Sequence, residues 1–508
     1  MKTHKNVIRS LAIAAVTILS LTLPSPLAAQ TTPAHRGIEG FWQGTLGTGP
    51  GKLRVLVSFT KSSDGSFKGS LESVDQAVTF AASNIKLENN AFHFELKDIG
   101  GAYQGTLSAD ATSLTGTWTQ TGVPPQPLNL TWSATAPQMA PNPTVVPAAP
   151  PVPLSGLQVA LDRVLAPVLD HGVLATSTGG GIVIGVYDHG QSKVFAYGTA
   201  QPDSMFEIGS LTKTFTGLIL AQMVQQKKVS FDDPVRTLLP DGTVIKPLGA
   251  EITLLDLATQ HSGLPRMPDN FHPANATNPY IDYHAAQMYD YINKHGVGRA
   301  NDTIFLYSNF GFGLLGQALS VRAGIPYAEL VKNEVTGPLH MDDTAITLSP
   351  SQQSRMIQGH DVQNHPAGRW DFDTFAGAGA LVSTASDMLK YLEANLHPEK
   401  ISTAGAAADS PSATLPAAIA QDHQLRGTGI GPAKVALAWL YNEQTKIYFH
   451  DGGTGGYSSF AAFLPSEDRA IVVLYNRSDV TTGNPLAQSI FFNIVGLMSG
   501  QPTVKLDK

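Results

Sequence analysis

Residues 206–220 of the chain read Phe206-Glu207-Ile208-Gly209-Ser210-Leu211-Thr212-Lys213-Thr214-Phe215-Thr216-Gly217-Leu218-Ile219-Leu220, and the pattern continues to Gln226. From Leu211 onward the apolar residues recur at steps of three and four, which predicts a helix with one buried face. Ser210 then lies in the first turn of this helix, and Lys213 lies on the same face three residues later. The spacing therefore predicts that the Lys213 amine is within reach of the Ser210 hydroxyl.

This pairing places a nucleophile beside a candidate base. The free NH groups of a first helical turn and the positive end of the helix dipole also favour negative charge near Ser210, as acyl transfer requires. A plain helix-capping serine with a solvated lysine is the alternative that the motif alone leaves open. The same Ser-x-x-Lys spacing at Ser58 and Ser83 falls in stretches that alternate like strands, so it predicts no site there.

Length and composition bound the possible architectures. The 508 residues are enough for two or three domains, and 42% hydrophobic with 14% charged residues is typical of a globular protein. A net charge of -7 and the lack of a basic stripe argue against a nucleic-acid partner. With 0 cysteines, the chain has neither a disulfide framework nor a thiol nucleophile.

The N-terminus predicts export. Lys2, Lys5 and Arg9 precede an apolar run over residues 11–23, and the small pair Ala28-Ala29 follows it. This order is typical of a cleavable secretory signal, here residues 1–29. A permanent membrane anchor needs about 20 apolar residues, and this run is shorter. We therefore expect a secreted or periplasmic protein with no integral membrane segment after signal cleavage.

Three further regions follow the predicted signal. Residues 36–133 alternate between apolar and polar side chains and are broken by turns, which predicts a small antiparallel β-barrel or sandwich. The proline- and alanine-rich residues 134–155 predict an extended linker. In residues 156–508, strands near both ends enclose a mainly helical middle, which predicts a mixed α/β fold with one antiparallel sheet flanked by helices and a helical lobe.

Two motifs downstream of Ser210 carry polar groups suited to a site. Tyr307-Ser308-Asn309 comes directly before a glycine-led apolar helix, and His450-Asp451-Gly452-Gly453-Thr454 comes directly after a predicted strand. Taken alone, Tyr307 is explained as a core aromatic residue, Asn309 as a helix cap and the glycines as a turn. Glycines also allow a substrate to lie against the backbone and accept hydrogen bonds from it.

Together and in this order, the three motifs resemble those of the class C β-lactamase and penicillin-binding-protein superfamily of serine hydrolases. That superfamily includes D,D-carboxypeptidases, D-aminopeptidases and β-lactamase-like esterases. The resemblance covers roughly residues 157–500 and extends to the segments 254–265 and 377–384. It implies a β-lactamase-like fold for this part of the chain, and residues 37–132 lie outside it.

The resemblance also implies roles for individual residues. Ser210 would be the nucleophile that forms an acyl-enzyme, Lys213 would lower its pKa, and Tyr307 would move the proton to the leaving group. Which of Lys213 and Tyr307 takes the first proton stays open. The backbone NH groups of Ser210 and Gly453 would form the oxyanion hole. The implied substrate-binding residues are Asn309, His450, Gly452, Gly453 and Thr454.

The third motif departs from the lactamase pattern. His450 stands where lactamases carry a lysine, and Asp451 replaces the threonine that would follow. A histidine with an ordinary pKa of about 6.5 is only partly cationic at neutral pH. Efficient penicillin hydrolysis is therefore not the favoured expectation. A purely structural histidine at the end of a strand is the alternative explanation of His450.

No cofactor or metal is predicted, because the chain has neither a His-Glu-x-x-His motif nor a phosphate-binding Gly-x-x-x-x-Gly-Lys loop. We expect an exported serine hydrolase that acts through acyl-Ser210 on small amide or ester substrates, such as D-alanyl peptides of peptidoglycan or β-lactams. The alternative is a non-catalytic penicillin-binding or cell-wall sensing protein on the same fold.

Overall fold

The computed structural model describes residues 37–46, 53–62, 65–73, 78–120, 123–133, 145–243, 250–296, 298–299, 304–430, 433–478 and 485–506. The predicted signal, residues 1–29, lies outside the described residues. So does the first half of the predicted linker, residues 134–144. No helix in the described part of the chain is both long and apolar enough to cross a membrane.

The first eight strands form a closed antiparallel barrel. Each strand pairs with the next along the chain, and the last returns to pair with the first. Buried aromatic rings pack against one another inside, with ring centroids 5.1 Å apart for Phe59 and Phe92 and 5.4 Å apart for Phe94 and Tyr103. The strands are β1 (Gly40–Leu46), β2 (Leu53–Lys61), β3 (Phe67–Ser73), β4 (Val78–Glu88), β5 (Ala91–Leu96), β6 (Gly101–Leu107), β7 (Ser113–Gln120) and β8 (Val123–Ser133).

Eight of the strands that follow the barrel form a second, open sheet, and the others form short two-stranded pairs. The full set is β9 (Val145–Val146), β10 (Gly181–Asp188), β11 (Gln191–Gly198), β12 (Phe206–Glu207), β13 (Ala250–Glu251), β14 (Gly298–Arg299), β15 (Gly359–His360), β16 (Pro366–Ala367), β17 (Val382–Ser383), β18 (Gly427–Thr428), β19 (Lys434–Val435), β20 (Leu440–Asn442), β21 (Ile447–Gly453), β22 (Ser458–Leu464), β23 (Arg469–Tyr475) and β24 (Thr503–Val504). The open sheet has the order β11-β10-β23-β22-β21-β20-β19-β18, with antiparallel neighbours. The hairpin of β10 and β11 thus pairs through β10 with β23, a strand near the end of the chain, as the positions of the predicted strands indicated.

Helices lie on both faces of this open sheet. They are α1 (Leu157–Asp170), α2 (Thr212–Gln225), α3 (Leu254–Ala258), α4 (Ala285–His295), α5 (Asn309–Ala323), α6 (Tyr327–Val331), α7 (Pro350–Gln353), α8 (Ala376–Gly379), α9 (Ala385–Leu396), α10 (Pro411–Asp422) and α11 (Pro485–Ser499). Helices α1 and α11 share a buried core with Ile182 of β10. Helices α2 and α9 share the other core with the neighbouring Val183, because successive strand residues point to opposite faces.

The environment of α2 differs from the prediction. We expected one buried face, but every residue from Thr212 to Met223 is buried, because α2 is enclosed by α5, α8 and α10 as well as by the sheet side of the core. Ser210 also lies just outside the α-helix, in a 3-10 turn over Gly209–Leu211. The apolar residues still recur at steps of three and four, because most of the other buried positions of α2 hold polar or small residues, namely Thr212, Lys213, Thr214, Thr216, Gly217, Ala221 and Gln222.

The glycine-rich third motif is also placed differently. We expected it to follow a strand, but β21 continues through Gly453, so His450 is an internal strand residue. The backbone of Gly453 is still paired with Ser458 of β22. Glycines are rare inside strands because they add no packing, and they typically mark a close approach of another backbone.

Candidate active site

The Lys213 side chain connects three parts of the hydrolase-like region. Its Nζ lies 2.9 Å from Ser210 Oγ, 2.9 Å from Asn309 Oδ1 at the start of α5 and 2.7 Å from the carbonyl oxygen of Ala378 in α8. The lysine is fully buried. The amine is therefore held in one position by groups from elements far apart in the chain.

Burial determines the protonation of this amine. Removal from water lowers the pKa of Lys213 well below its ordinary value, and the positive charge of Arg266 acts in the same direction. The negative charge of Asp451 opposes both effects. The neutral amine is consequently favoured more strongly than for a lysine in water.

Tyr307 lies beside this amine, directly before α5. Lys213 Nζ is 4.9 Å from the centroid of the Tyr307 ring. Ser308 caps α5, since its hydroxyl accepts a hydrogen bond from Gly311 N–H and donates one to the carbonyl oxygen of Pro265. Burial raises the pKa of the Tyr307 phenol, while the Arg266 charge and the Ser210 hydroxyl act in the opposite direction. The phenol is therefore protonated at neutral pH.

Strand β21 touches the turn that carries Ser210, and glycines make this contact possible. A Cβ atom on Gly452 would lie 2.1 Å from the Ile208 carbonyl oxygen and 3.0 Å from Ser210 N. Gly209 has a φ of +50°, and a Cβ there would lie 2.6 Å from Gly453 N. The Ile208 carbonyl also accepts a hydrogen bond from Ser459 Oγ at 2.9 Å. Larger residues would force the strand and the turn apart.

His450 is buried in β21, with its ring centroid 6.4 Å from that of Tyr307. Its Nδ1 lies 2.6 Å from the Asp451 carbonyl oxygen. A carbonyl oxygen only accepts, so Nδ1 carries the proton. Burial lowers the pKa of His450, the Lys213 charge adds to this, and Asp451 opposes it. A neutral imidazole is favoured where the sequence suggested a partial cation.

The structure brings most of the predicted site residues together around the Ser210 turn. Those that surround the Ser210 turn are Lys213, Tyr307, Asn309, His450, Gly452 and Gly453. Thr454 is fully buried, and its hydroxyl lies near the carboxyl group of Glu207. Among the described residues there is no cluster of three or more His, Asp or Glu side chains suited to a metal ion.

Sequence reasoning missed three contributors, two of which lie beside Lys213 and Tyr307. Ala378 acts through a backbone carbonyl, which no side-chain motif reveals, although it lies in the segment 377–384 that carried part of the resemblance. Arg266 follows the similar segment 254–265, and its guanidinium carbon lies 5.0 Å from the centroid of the Tyr307 ring. The sequence signal that could have identified Arg266 is its position as a charged residue directly after the segment 254–265, which resembles the family.

Glu207, three residues before Ser210, was also overlooked. It lies on β12, is buried, and accepts a hydrogen bond at 2.7 Å from the backbone N–H of Trp370. Burial raises the pKa of Glu207 to about 7. The hydrogen bond from Trp370 N–H and the charge of Arg369 lower it, and the charge of Asp371 raises it. An ionised Glu207 is therefore costly to the folded chain.

Replacing Glu207 with Gln should change how stability depends on pH. A carboxyl group with a folded-state pKa near 7 and an unfolded-state pKa of about 4.3 loses stability as the pH rises between these values. Relative to Glu207→Gln, the wild type should therefore lose up to roughly 3 kcal/mol of unfolding free energy from pH 4 to pH 8. Denaturant unfolding at a series of pH values measures this difference.

The control for this experiment is Glu329→Gln, which removes an exposed carboxyl group on α6. Its stability difference from the wild type should stay nearly constant over the same pH range. If the unfolding free energies of both variants differ from that of the wild type by the same function of pH, ionisation of Glu207 does not destabilise the folded chain.

Comparison with known proteins supports a single family. Residues 171–490 match the family model described as Beta-lactamase. The D-alanyl-D-alanine-carboxypeptidase/endopeptidase AmpH of Escherichia coli K12 is 28% identical over 343 residues, which cover 64% of this chain and 86% of that protein. A β-lactamase of Pseudomonas fluorescens is 27% identical over 354 residues, which cover 63% of this chain and 94% of that protein.

Solved structures show the same fold. A β-lactamase/D-alanine carboxypeptidase from Yersinia pestis, complexed with citrate, matches with a TM-score of 0.54 at 23% identity, over 67% of this chain and 98% of that one. A class C β-lactamase from Rhodobacter sphaeroides matches with a TM-score of 0.52 at 23% identity, over 65% and 99%. Because the family match spans more than half of the chain, the protein belongs to the β-lactamase family and is a β-lactamase-related serine hydrolase.

Proposed function

We propose that the protein is an exported hydrolase that forms an acyl-enzyme on Ser210 and acts on D-alanyl peptides or related small amides and esters. One observation carries this proposal: the buried Lys213 amine lies 2.9 Å from the Ser210 hydroxyl, and burial lowers its pKa. A neutral amine beside a serine is a base for the serine proton.

The contacts of Lys213 support a direction for the first proton transfer. The Asn309 Oδ1 and Ala378 carbonyl oxygens only accept, so they take two N–H bonds of a neutral amine. The lone pair is then left for the Ser210 proton. The Tyr307 phenol, whose pKa burial raises, is a poor initial base and a suitable proton donor. We assign the first proton to Lys213.

The proposed reaction has two stages. In acylation, Ser210 Oγ attacks the substrate carbonyl carbon while its proton moves to Lys213, and the NH groups of Ser210 and Gly453 bind the oxyanion. The C–N or C–O bond to the leaving group then breaks as Tyr307 donates a proton to it and is reprotonated from Lys213. In deacylation, water attacks the acyl carbon, and its proton is returned to Ser210 by the same two groups.

The neutral His450 bears on the choice of substrate. The names of the relatives include both a D-alanyl-D-alanine carboxypeptidase and β-lactamases. The motif that carries a lysine in lactamases carries here a buried histidine whose pKa is lowered. This favours D-alanyl peptides, small amides and esters over rapid hydrolysis of β-lactams. Asn309, His450, Gly452, Gly453 and Thr454 are the proposed substrate-binding residues.

We further propose the division of the chain predicted from its sequence. Residues 1–29 would be the export signal, 36–133 the barrel, 134–155 the linker and 156–508 the hydrolase domain, with a secreted or periplasmic location. The second candidate is a non-catalytic penicillin-binding or sensing protein. The fully buried lysine weighs against it, since burial of an amine is costly and has no evident use without chemistry.

Chemical labelling tests the proposed nucleophile. A fluorophosphonate probe or a labelled penicillin should leave one adduct on Ser210 of the wild type, seen by mass spectrometry of peptides. Ser210→Ala should lose the adduct, and hydrolysis of p-nitrophenyl esters and D-alanyl peptides should fall on the order of a thousandfold or more.

Ser58→Ala is the matched control, because Ser58 has the same spacing to a lysine but lies on barrel strand β2. It should keep both the adduct and the activity. A wild type that reacts with none of these probes, or a Ser210→Ala variant that remains active, would contradict the proposed function.

Gly452→Ala tests the contact between β21 and the serine turn. The added Cβ would lie 2.1 Å from the Ile208 carbonyl oxygen, so the strand must move away from Ser210 and carry Gly453 N–H with it. Ester hydrolysis should fall on the order of a hundred- to a thousandfold, the cost of one oxyanion donor. Gly156→Ala, where the nearest atom is 3.6 Å away, should change the activity little. Equal activities for the two variants would contradict this contact.

A further inference from the structure

Arg266 presents a cation beside the candidate active site. Its side chain is exposed, and its guanidinium carbon lies 5.0 Å from the centroid of the Tyr307 ring. The buried Lys213 amine lies 4.9 Å from the same centroid. Within the described ranges of the chain, the Arg266 guanidinium makes no ion pair and no side-chain hydrogen bond. Its N–H groups are therefore available to solvent and to a ligand bound beside Tyr307.

The backbone fixes this residue relative to the nucleophile. The carbonyl oxygen of Arg266 accepts a hydrogen bond from Phe310 N–H at 3.1 Å, and that of Pro265 accepts one from Ser308 Oγ at 2.6 Å. Both donors belong to the start of α5, next to Tyr307. Arg266 and Tyr307 therefore keep their relative positions even though the guanidinium is exposed.

Of the charged groups that act on Tyr307, Arg266 is the exposed cation. Burial favours the neutral form of His450, whose Nδ1–H donates to the Asp451 carbonyl oxygen. Lys213 is buried and turned towards Ser210, Asn309 and Ala378. Asp451 is the acid that acts on the same groups, and it forms no ion pair with Arg266. A guanidinium whose N–H groups have no acceptor among the described residues is best matched by a carboxylate, which it binds through two parallel hydrogen bonds.

We propose that Arg266 binds the free carboxylate of the substrate's leaving group and so selects acyl compounds that release an α-amino acid. This inference rests on the proposed function. Tyr307 donates a proton to the leaving nitrogen, so the leaving group must lie beside the Tyr307 ring, where the guanidinium stacks. An amino-acid carboxylate is two bonds from that nitrogen, which is within the reach of an arginine side chain.

A pair of substrates that differ only at this carboxylate tests the proposal. The first is an N-acylated D-alanyl-D-alanine, and the second is the same peptide ending in D-alaninamide. The wild type should prefer the carboxylate, as judged by the ratio of the two kcat/KM values. Arg266→Gln should lower this ratio about 10- to 100-fold, the usual worth of a charge-assisted pair. Arg266→Lys should retain part of the preference.

The ratio separates substrate binding from the effect of Arg266 on Lys213. The field of Arg266 favours the neutral amine for every substrate, so this contribution cancels between the two peptides. Arg163→Gln, which removes an exposed positive charge from α1, controls for net charge and should leave the ratio unchanged.

The proposal is overturned if Arg266→Gln slows both peptides equally, if the wild type has no preference for the carboxylate, or if the wild type hydrolyses esters and neither peptide. None of these results affects the proposed nucleophile, which is judged by labelling of Ser210. A protein that fails to label on Ser210 refutes the proposed function itself.

Discussion

The site depends on a single costly feature, an amine removed from water. Lys213 is fully buried, and its Nζ is held by Ser210, Asn309 and Ala378 at 2.7 to 2.9 Å. A lysine in water is protonated at neutral pH and cannot accept a proton. Desolvation weakens this preference by lowering the pKa of Lys213 well below its ordinary value, and the nearby Arg266 charge acts in the same direction. The chemistry proposed for Ser210 follows from this arrangement of a hydroxyl beside a desolvated base.

The fold supplies the environment that this amine needs. Helix α2 is enclosed on all sides, so Lys213 has no route to solvent along its own helix. The acceptors come from α5 and α8, which pack against α2. Strand β21 closes the other side, and glycines at positions 209 and 452 let its backbone touch the serine turn. The protonation of the Lys213 amine therefore depends on how tightly other elements pack around α2. The tendency of the α2 sequence to form a helix does not by itself bury the amine.

Much of the fold and several of the candidate site residues could be predicted from local sequence patterns. Alternation predicted the barrel strands, strands near both ends predicted the composite sheet, and the three motifs singled out Ser210, Lys213, Tyr307 and Asn309. The full burial of α2 was not predictable, because threonines inside a helix read as a polar face in a single sequence. Contacts through backbone atoms, such as the Ala378 carbonyl, leave no side-chain pattern. The protonation of His450 depends on burial and on the Asp451 carbonyl, which only the folded chain brings to its ring.

An NMR titration of the labelled Lys213 side chain measures the central quantity directly. Lysine side-chain carbons report the charge of the amine, and the Lys213→Arg variant assigns the signal. The account predicts a midpoint well below about 10.4, the ordinary pKa of a lysine in water, so that the amine is more often neutral than that of a solvated lysine. A Lys213 signal that titrates together with the exposed lysines would show a charged amine beside Ser210 and would contradict the account.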